Sequence, residues 1–395
     1  MWTRLAIHRV SKLLEQFPAV LILGARQVGK TTLARLARPD FAYCDLEQPH
    51  VREAFTRQPA FEIEQAERGG LILDEAQFVP EVFAALRGII DAKRRRNGRF
   101  LLLGSAQPAL VRQISESLAG RVGLVELDAL TVHEVGGGKP KRGWRDVWLR
   151  GGFPGALSGD HREWWEAYLR TYAERDLPHL GVSADPLLLR RLLTMLAHQQ
   201  GGLLNASQFG GSLGVSYHTV QRYLDVLEQT FLVRRLPPYF RNVGKRLTKS
   251  PKVYLRDTGL LHHLLNISSA ADLDHHPVRG ASWETFVLED VLRRLRVLSP
   301  YTQSFFWRTA TGNEADLVLE NGSHHAVIEI KAGSGTDLDA AQKLAKCAAD
   351  IGAPKAWIIS QAPGVQQLMP GIERRGFEAC IDWLPAVCLG GANKS

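Results

Sequence analysis

The sequence predicts an α/β protein whose N-terminal part is a parallel β-sheet with helices on both faces. Three observations lead to this fold class: strand-like apolar runs alternate with helical patterns, a glycine-containing loop follows the first run, and the third run ends in two carboxylates. Parallel sheets bind ligands beyond the carboxyl ends of their strands, where Gly24, Asp74 and Ser105 fall. The predicted strands cover residues 20–23, 41–46, 71–74, 100–103 and 122–127.

The loop at residues 24–32 reads GARQVGKTT, a complete G-x-x-x-x-G-K-T phosphate loop. Its glycines let backbone N–H groups approach phosphates, and the N-terminus of the following helix adds its positive end. Lys30 is expected to reach the β- and γ-phosphates, and the Thr31 hydroxyl to hold Mg²⁺. ATP and Mg²⁺ are therefore the predicted cofactors. The predicted nucleotide-binding residues are Gly24, Gln27, Val28, Gly29, Lys30, Thr31 and Thr32.

The third apolar run, Leu71-Ile-Leu-Asp74-Glu75, is typical of a Walker B strand. Asp74 is expected to complete the Mg²⁺ shell with Thr31, directly or through water, and Glu75 to orient or deprotonate the attacking water. The alternative is a strand that simply runs into an acidic turn. Ser105 follows the fourth run and is a candidate sensor of the γ-phosphate, although Gly-Ser after a strand is also ordinary turn chemistry.

Composition limits the remaining possibilities. A chain of 395 residues is long enough for two to four domains, and its net charge of +8 favours an anionic partner such as nucleotide, nucleic acid or a membrane surface. Its four cysteines contain no C-x-x-C pair, so neither zinc nor a disulfide framework is indicated, and a reducing cytoplasm fits best. No apolar run approaches the ~18 residues that span a bilayer, and no membrane partner is expected.

Changes in composition divide the chain further. A Gly-Gly-Gly-Lys-Pro segment at residues 136–140 indicates a linker, and a Trp-rich helical stretch at 164–176 is placed to form a helical lid. The predicted divisions are an ATPase core at 1–135, a helical lid and linker at 136–200, a winged helix-turn-helix at 201–262, and an α/β domain at 263–395.

Residues 203–256 have the pattern of a winged helix-turn-helix. A short helix over 205–213, a turn with an N-cap at 214–216 and a second helix over 217–228 are expected. Arg222 lies on the outward face of the second helix, together with His218, Thr219 and Gln221, where a recognition helix faces the major groove.

The segment from Arg234 to Arg256 contains eight basic and no acidic residues, which favours a wing that contacts phosphates. The alternative is a protein–protein module in which the basic run is a solvated loop. The predicted DNA-binding residues are Arg222, Arg241, Lys245, Arg246 and Lys249.

Nearly the whole chain resembles the AAA-type ATP-binding proteins of bacteria and archaea that carry a C-terminal domain of unknown function, DUF4143. This resemblance implies a homo-oligomer, such as a hexameric ring, in which an arginine from one subunit touches its neighbour's γ-phosphate. Arg121 is the first candidate for this arginine finger, and Arg175 is a weaker one. The alternative is that the arginine lies at the surface or forms a structural salt bridge. The motifs that carry the resemblance are GARQVGKTT, LILDEAQ, Gly104-Ser105, and the segments 117–121, 168–176 and 253–261.

The sequence of the C-terminal region predicts three successive strands followed by a helix and a further strand. The strands are expected at 305–308, 315–320 and 326–331, with an Asn321-Gly322 hairpin turn, then a helix near 337–350 and a strand at 356–360. With Glu284, Asp316, Glu329 and Lys331, this pattern resembles the core of PD-(D/E)XK nucleases. The resemblance makes those four residues a candidate nuclease site, with carboxylates for Mg²⁺ and a lysine that positions or activates water. The proline that precedes the aspartate in this motif is absent here. A domain that only binds DNA or holds the ring together is the alternative.

Two functions from different classes remain. In the first, an ATPase remodels or processes DNA that the winged helix holds. In the second, an ATP-controlled regulatory or defence switch changes its assembly state, and its C-terminal domain binds a protein partner.

Overall fold

We analysed a computed structural model of the protein, which describes residues 2–67, 69–105, 114, 116–137, 142–179, 185–240, 249–309, 312–333 and 338–380. The chain divides into two compact units. The first comprises residues 2–130 with 229–231, and the second comprises residues 131–228 and those from 232 onward. Within the described ranges, no helix is long and apolar enough to cross a membrane.

The first unit contains a five-stranded parallel sheet. Its strands are β1 (Ala19–Gly24), β2 (Ala42–Asp45), β3 (Leu71–Asp74), β4 (Phe100–Gly104) and β5 (Val122–Leu127). They lie in the order β2-β3-β4-β1-β5. Every residue of β1, β3 and β4 is buried, so both faces of the central sheet are covered. The five predicted strands are confirmed to within one residue at each end.

Alternation along the strands separates the two faces of this sheet. Leu21, Leu73 and Leu102 point to one face, where they pack in a core with Phe83 and Leu86. The helices of this unit are Ala6–Gln16, Lys30–Ala37, Pro49–Arg57, Pro59–Ala66 and Glu81–Ala92, with a 3₁₀ turn at Ala76–Phe78.

The second unit begins with a helical region, as predicted for the segment after the ATPase core. Its helices are Val132–Gly136, Trp144–Arg150, Pro154–Ser158, His161–Thr171, Leu177–His179 and Pro186–His198, with a π-helical turn at Tyr172–Asp176. Of the predicted linker, residues 138–140 lie outside the described residues.

A helix-turn-helix follows, with helices Ala206–Leu213 and Tyr217–Gln229. Gly214 adopts a φ of +70°, and the Ser216 hydroxyl accepts a 3.1 Å hydrogen bond from the Thr219 N–H, which gives the predicted turn and N-cap. The strands β6 (Val233–Leu236) and β7 (Lys252–Leu255) pair antiparallel on either side of the predicted wing, of which residues 241–248 lie outside the described residues.

The C-terminal part contains a mixed six-stranded sheet. Its strands are β8 (Gln303–Arg308), β9 (Glu314–Asn321), β10 (His324–Lys331), β11 (Ala356–Ser360), β12 (Val365–Met369) and β13 (Ile372–Gly376). They lie in the order β12-β13-β11-β10-β9-β8. Strands β8, β9 and β10 are antiparallel, whereas β10 and β11 are parallel, as the predicted strand–strand–strand–helix–strand order requires. Strands β12 and β13 were not predicted from the sequence.

Helices cover this sheet and lead into it. Leu344 and Ile351 of the helix Leu338–Ile351 pack in one core with Val318, Val327 and Ile358 of the sheet. The remaining helices of this part are Thr258–Leu264, Ala270–His275, Arg279–Leu298 and Phe377–Cys380.

Candidate functional site

The phosphate loop joins the end of β1 to the helix Lys30–Ala37. Gly29 is the N-cap residue of this helix and has a φ of +100°, a conformation that favours glycine. No side chain of the described residues caps the helix. The first backbone N–H groups of this helix are therefore placed to bind an anion such as a phosphate.

The two glycines of the motif serve different purposes. A Cβ atom on Gly29 would meet nothing within 4 Å, so only its backbone conformation requires glycine. A Cβ on Gly24 would instead lie 2.4 Å from the carbonyl oxygen of Leu127 in β5. Gly24 thus permits the close approach of β1 and β5 at the edge where the loop begins.

Two buried cations hold the loop in place. Lys30 Nζ donates to the carbonyl oxygens of Gly24 at 3.1 Å and Ala25 at 3.0 Å. Arg4 Nη1 donates at 3.2 Å to the carbonyl oxygen of Val28, a fully buried residue. The role of Arg4 was not predicted, because nothing in its local sequence indicates that it contacts a loop 24 residues away.

Asp74 is the centre of the polar contacts at the end of β3. Its Oδ2 accepts hydrogen bonds from Thr31 Oγ1 at 2.6 Å and from the Tyr43 hydroxyl at 2.9 Å. Its Oδ1 accepts a 2.9 Å hydrogen bond from the Glu75 N–H. The structure therefore brings together Thr31 and Asp74, the two predicted Mg²⁺ ligands, although 43 residues separate them.

Tyr43 is a site residue that the sequence analysis missed. It lies on β2, next to β3, and the guanidinium of Arg35 stacks 4.0 Å from the centroid of its ring. Burial and the nearby Asp74 carboxylate raise the pKa of Tyr43, so its hydroxyl remains a donor to Asp74.

Glu75 and Ser105 follow the ends of β3 and β4, which are adjacent strands. Glu75 has a φ of +52°, which is uncommon for a residue with a side chain, and its carboxylate accepts a hydrogen bond from the Gln77 side chain. Ser105 is half-buried directly after β4, and β4 separates β3 from β1. The predicted catalytic and sensor residues thus belong to the same edge of the sheet as the phosphate loop.

Arg121, the candidate finger, makes a bidentate ion pair within its own subunit. Its Nε and Nη2 each lie 2.9 Å from an oxygen of Asp91, and its Nη1 donates to the carbonyl oxygen of Ala119. The Arg121 guanidinium lowers the pKa of Asp91, so the pair is ionised at neutral pH. This is the structural salt bridge considered above as the alternative, and a role toward a neighbouring subunit stays a prediction. Arg175 lies in the π-helical turn Tyr172–Asp176 of the second unit.

The residues of the first unit fit ATP with Mg²⁺. The uncapped helix and Lys30 suit phosphate oxygens, and the Thr31 hydroxyl and Asp74 carboxylate are the oxygen ligands that Mg²⁺ prefers.

The four nuclease candidates lie in the second unit and are only partly brought together. Asp316 on β9 and Glu284 on the helix Arg279–Leu298 both contact the ammonium of Lys252 at 3.3 Å. Glu329 pairs instead with Lys331, its Oε1 lying 2.5 Å from the lysine Nζ. Burial and the Asp316 charge raise the pKa of Glu284 to about 7 and that of Glu329 to about 8.

The expectation of eight unopposed basic residues in the wing is wrong for four of them. Arg234 and Arg256 pair with Glu289, Arg235 pairs with Asp225 and Glu228, and Lys252 lies among carboxylates. The acidic partners come from two helices and from β9, all outside the segment, so local composition could not show them. Arg222 and Lys249 are exposed as predicted, whereas the candidates Arg241, Lys245 and Arg246 lie outside the described residues.

A phosphate loop and a Walker B strand in a five-stranded parallel sheet define an AAA-type P-loop ATPase domain. Residues 16–136 match the family model described as AAA domain, and residues 141–271 and 279–369 match two domains of unknown function, DUF8612 and DUF4143. The chain belongs to the family of AAA-domain proteins that includes Uncharacterized protein Rv2008c of Mycobacterium tuberculosis. That relative is 43% identical over 331 residues, which cover 82% of this chain and 73% of the relative.

Two further proteins are similar to this chain. Uncharacterized protein Mb2031c of Mycobacterium bovis matches with the same identity and coverage as the Mycobacterium tuberculosis relative. The solved structure of a Walker-type ATPase of Pyrococcus abyssi has a TM-score of 0.45 at 17% identity, covering 67% of this chain and 96% of its own.

Proposed function

We propose that the protein hydrolyses ATP at its phosphate loop and uses the reaction to remodel DNA held by its helix-turn-helix. The 2.6 Å hydrogen bond between Thr31 and Asp74 carries the ATPase part of this proposal. It places a phosphate-loop hydroxyl and a strand-end carboxylate together, as a shared metal ligand pair requires.

The residues have separate tasks in this reaction. Lys30 exchanges the carbonyl oxygens of Gly24 and Ala25 for phosphate oxygens, which are stronger acceptors because they are charged. Thr31 and Asp74 would hold Mg²⁺, which would supply positive charge at the transferring phosphoryl group. Tyr43 keeps the Asp74 carboxylate oriented through its 2.9 Å hydrogen bond.

Glu75 takes the proton of the attacking water or orients it. Its carboxylate is held by Gln77, two residues further on, so it must exchange this partner for water when ATP is bound. The strained backbone of Glu75 fixes the direction in which its side chain leaves β3.

Phosphate release by the purified protein tests the ATPase. Glu75→Gln should retain ATP binding and lose hydrolysis by at least about 100-fold, since one general base contributes on that scale. Glu81→Gln, an exposed carboxylate in the same unit, is the matched control and should turn over ATP like the wild type. Unchanged turnover in Glu75→Gln would contradict the role assigned to Glu75.

The second helix of the helix-turn-helix supports DNA binding. Its residues Val220, Leu224 and Leu227 are buried, whereas His218 and Arg222 are exposed at its N-terminal part. Side chains in this position of a recognition helix face the major groove. Lys249 before β7 is exposed and adds positive charge to the wing.

Assembly of copies into a ring, with Arg121 at the neighbour's γ-phosphate, belongs to the proposal and requires Arg121 to leave Asp91. A concentration-dependent ATP turnover per subunit, lost in Arg121→Ala, is the expected result.

ATP turnover with and without DNA tests the DNA part. Single-stranded, duplex and branched DNA are compared at low salt, where phosphate contacts are strongest. We expect at least one form to stimulate turnover, and Arg222→Glu to abolish the stimulation while leaving basal turnover intact. Arg162→Glu, an exposed arginine elsewhere in the second unit, is the control.

The second candidate function is an ATP-controlled switch whose C-terminal domain binds a protein. The internal pairing of Arg234, Arg235, Lys252 and Arg256 favours it, because these charges are not free for phosphates. Equal turnover under all DNA conditions, together with no DNA binding, selects this function over the first.

A further inference from the structure

A buried lysine lies at the centre of the acidic residues of the C-terminal domain. Lys252 is on β7, and only 4% of its side chain is exposed. Its Nζ lies 2.6 Å from Glu314 Oε1 and 3.3 Å from both Glu284 Oε1 and Asp316 Oδ1. Three carboxylates from one helix and one strand thus share a single ammonium group.

This arrangement matches the chemistry of an ammonium ion. A lysine has three N–H donors, and here the ammonium donates hydrogen bonds to Glu284 and Asp316 and forms an ion pair with Glu314. Carboxylates placed this close together repel one another unless a cation neutralises them. Although burial lowers the pKa of Lys252, the surrounding carboxylates raise it well above its usual value, so the side chain stays charged.

The neighbouring groups complete the network. The Tyr254 hydroxyl donates a 2.6 Å hydrogen bond to Glu284 Oε1, the oxygen that also contacts Lys252. The second oxygen of Asp316 accepts a 2.8 Å hydrogen bond from the Ile330 N–H. Both oxygens of Asp316 and one oxygen of Glu284 are therefore engaged by protein donors.

The carboxylates do not fit a divalent metal in this arrangement. One oxygen of Glu329, whose pKa is raised by burial and by the nearby Asp316 charge, is already paired with Lys331. In the ranges that the structure describes, no group of three His, Cys, Asp or Glu side chains is arranged to hold a metal ion. Among the described residues, the ammonium of Lys252 contacts both Glu284 and Asp316.

We propose that Lys252 takes the place of a divalent cation in the C-terminal domain, which is therefore assembled without metal and does not cleave nucleic acid. The wing strand β7 supplies this cation, so the lysine also fixes the wing to the helix Arg279–Leu298 and to β9. Removing the ammonium while leaving the carboxylates should convert the cluster into a site for a divalent cation.

Manganese binding to the full-length protein tests this inference. Mn²⁺ is titrated without nucleotide, and free Mn²⁺ is measured by electron paramagnetic resonance. All proteins carry Asp74→Asn, so that the phosphate-loop site makes no contribution. We expect Lys252→Ala to gain one Mn²⁺ per chain relative to the parent, and Lys252→Ala with Asp316→Asn to lose it again.

Lys249→Ala, an exposed lysine three residues away, is the matched control and should gain nothing. A folded Lys252→Ala that gains no Mn²⁺ overturns the proposal, as does a parent protein whose Mn²⁺ binding is abolished by Asp316→Asn. If Lys252→Ala does not fold alone, we expect Mn²⁺ to restore its folding, and Ca²⁺ or Mg²⁺ to do so as well. If none of these three cations restores folding, the proposal is also overturned.

A second measurement starts from the protein in which Lys252 and its carboxylates are intact. The protein with its natural residues should not cut single-stranded, duplex or branched DNA in Mg²⁺ or Mn²⁺, and cleavage that Asp316→Asn abolishes overturns the proposal. ATP turnover is measured in parallel in protein with Asp74 intact. Its absence would refute the proposed ATPase and leave the cation result unaffected, so the two failures are distinguishable.

Discussion

Replacing Asp74 by asparagine tests whether this residue, at the end of β3, binds a metal ion or only supports the local structure. The carboxylate accepts hydrogen bonds from the Thr31 and Tyr43 hydroxyls and from the Glu75 N–H. An asparagine oxygen can accept from the Glu75 N–H, while its amide group donates to the two hydroxyl oxygens. All three contacts can survive, but they become bonds between neutral groups.

The expected loss of stability is therefore small. Each of the three bonds falls from about 1.5–3 kcal/mol for a charged acceptor to about 1 kcal/mol, a total loss of about 1.5–6 kcal/mol. The lower desolvation cost of a neutral amide partly offsets this loss, so Asp74→Asn should lower the free energy of unfolding by about 1–3 kcal/mol. Its effect on hydrolysis should be larger, because a neutral amide is a poor Mg²⁺ ligand. We expect turnover to fall at least about 100-fold, which corresponds to about 2.7 kcal/mol of transition-state stabilisation.

Phosphate release across a Mg²⁺ series and urea unfolding are the two assays. Asp45→Asn is the matched control, because Asp45 is the register partner of Asp74 on β2 and accepts from the Glu47 N–H at 3.0 Å. It should leave turnover near the wild-type value. If Asp74→Asn retains more than about a third of wild-type turnover at saturating Mg²⁺, the assignment of Asp74 as a metal ligand is refuted.

Three other substitutions follow from single contacts. Lys30→Ala should weaken ATP binding by about 1000-fold, because a charge pair at a partly buried site contributes about 4 kcal/mol; fluorescent-nucleotide binding measures it. Asp257→Ala should lower the free energy of unfolding by about 3 kcal/mol, since the buried N–H groups of Gly152 and Gly259, each 2.9 Å from the carboxylate, lose their acceptor. Burial lowers the pKa of His262 to about 4, so the unfolded chain binds more protons below pH 6.5 and stability falls as the pH drops from 6.5 toward 4. His262→Gln should remove up to about 3 kcal/mol of that pH dependence in urea unfolding.

Matched controls identify the cause in each case. Lys93→Ala removes an exposed lysine of the same unit, and His275→Gln removes an exposed histidine. Asp185→Ala removes an exposed N-cap, which should cost about 1 kcal/mol. A loss in Asp257→Ala no larger than this would contradict the importance of its burial, and an unchanged pH profile in His262→Gln would contradict the shifted pKa.

Strands and loops were predictable because their signals are local. The runs 71–74 and 122–127 match β3 and β5 residue for residue, since apolar patterning and turn residues are properties of a few neighbouring positions. Strands β12 and β13 were not predicted, because their residues, such as the exposed pair Gln366 and Gln367, lack that apolar patterning.

Charges were less predictable than strands. The segment from Arg234 to Arg256 contains no acidic residue, yet Glu289 of a later helix pairs with both of these arginines. An ion pair depends on which helices and strands the fold brings together, and a charge count within one segment does not contain that information.

The sequence by itself determined the nucleotide chemistry of this protein. GARQVGKTT and LILDE specify a loop, a helix N-terminus and a strand end, and those local structures alone indicate where phosphates and Mg²⁺ bind. The tertiary structure decided which partner each charged side chain has. Tyr43 supports Asp74, Asp91 holds Arg121, and the ammonium of Lys252 lies among carboxylates that resembled a metal site. A motif can be recognised from residues that are neighbours along the chain. These pairs instead join residues 30 or more positions apart, and they form only when the fold brings their strands and helices together.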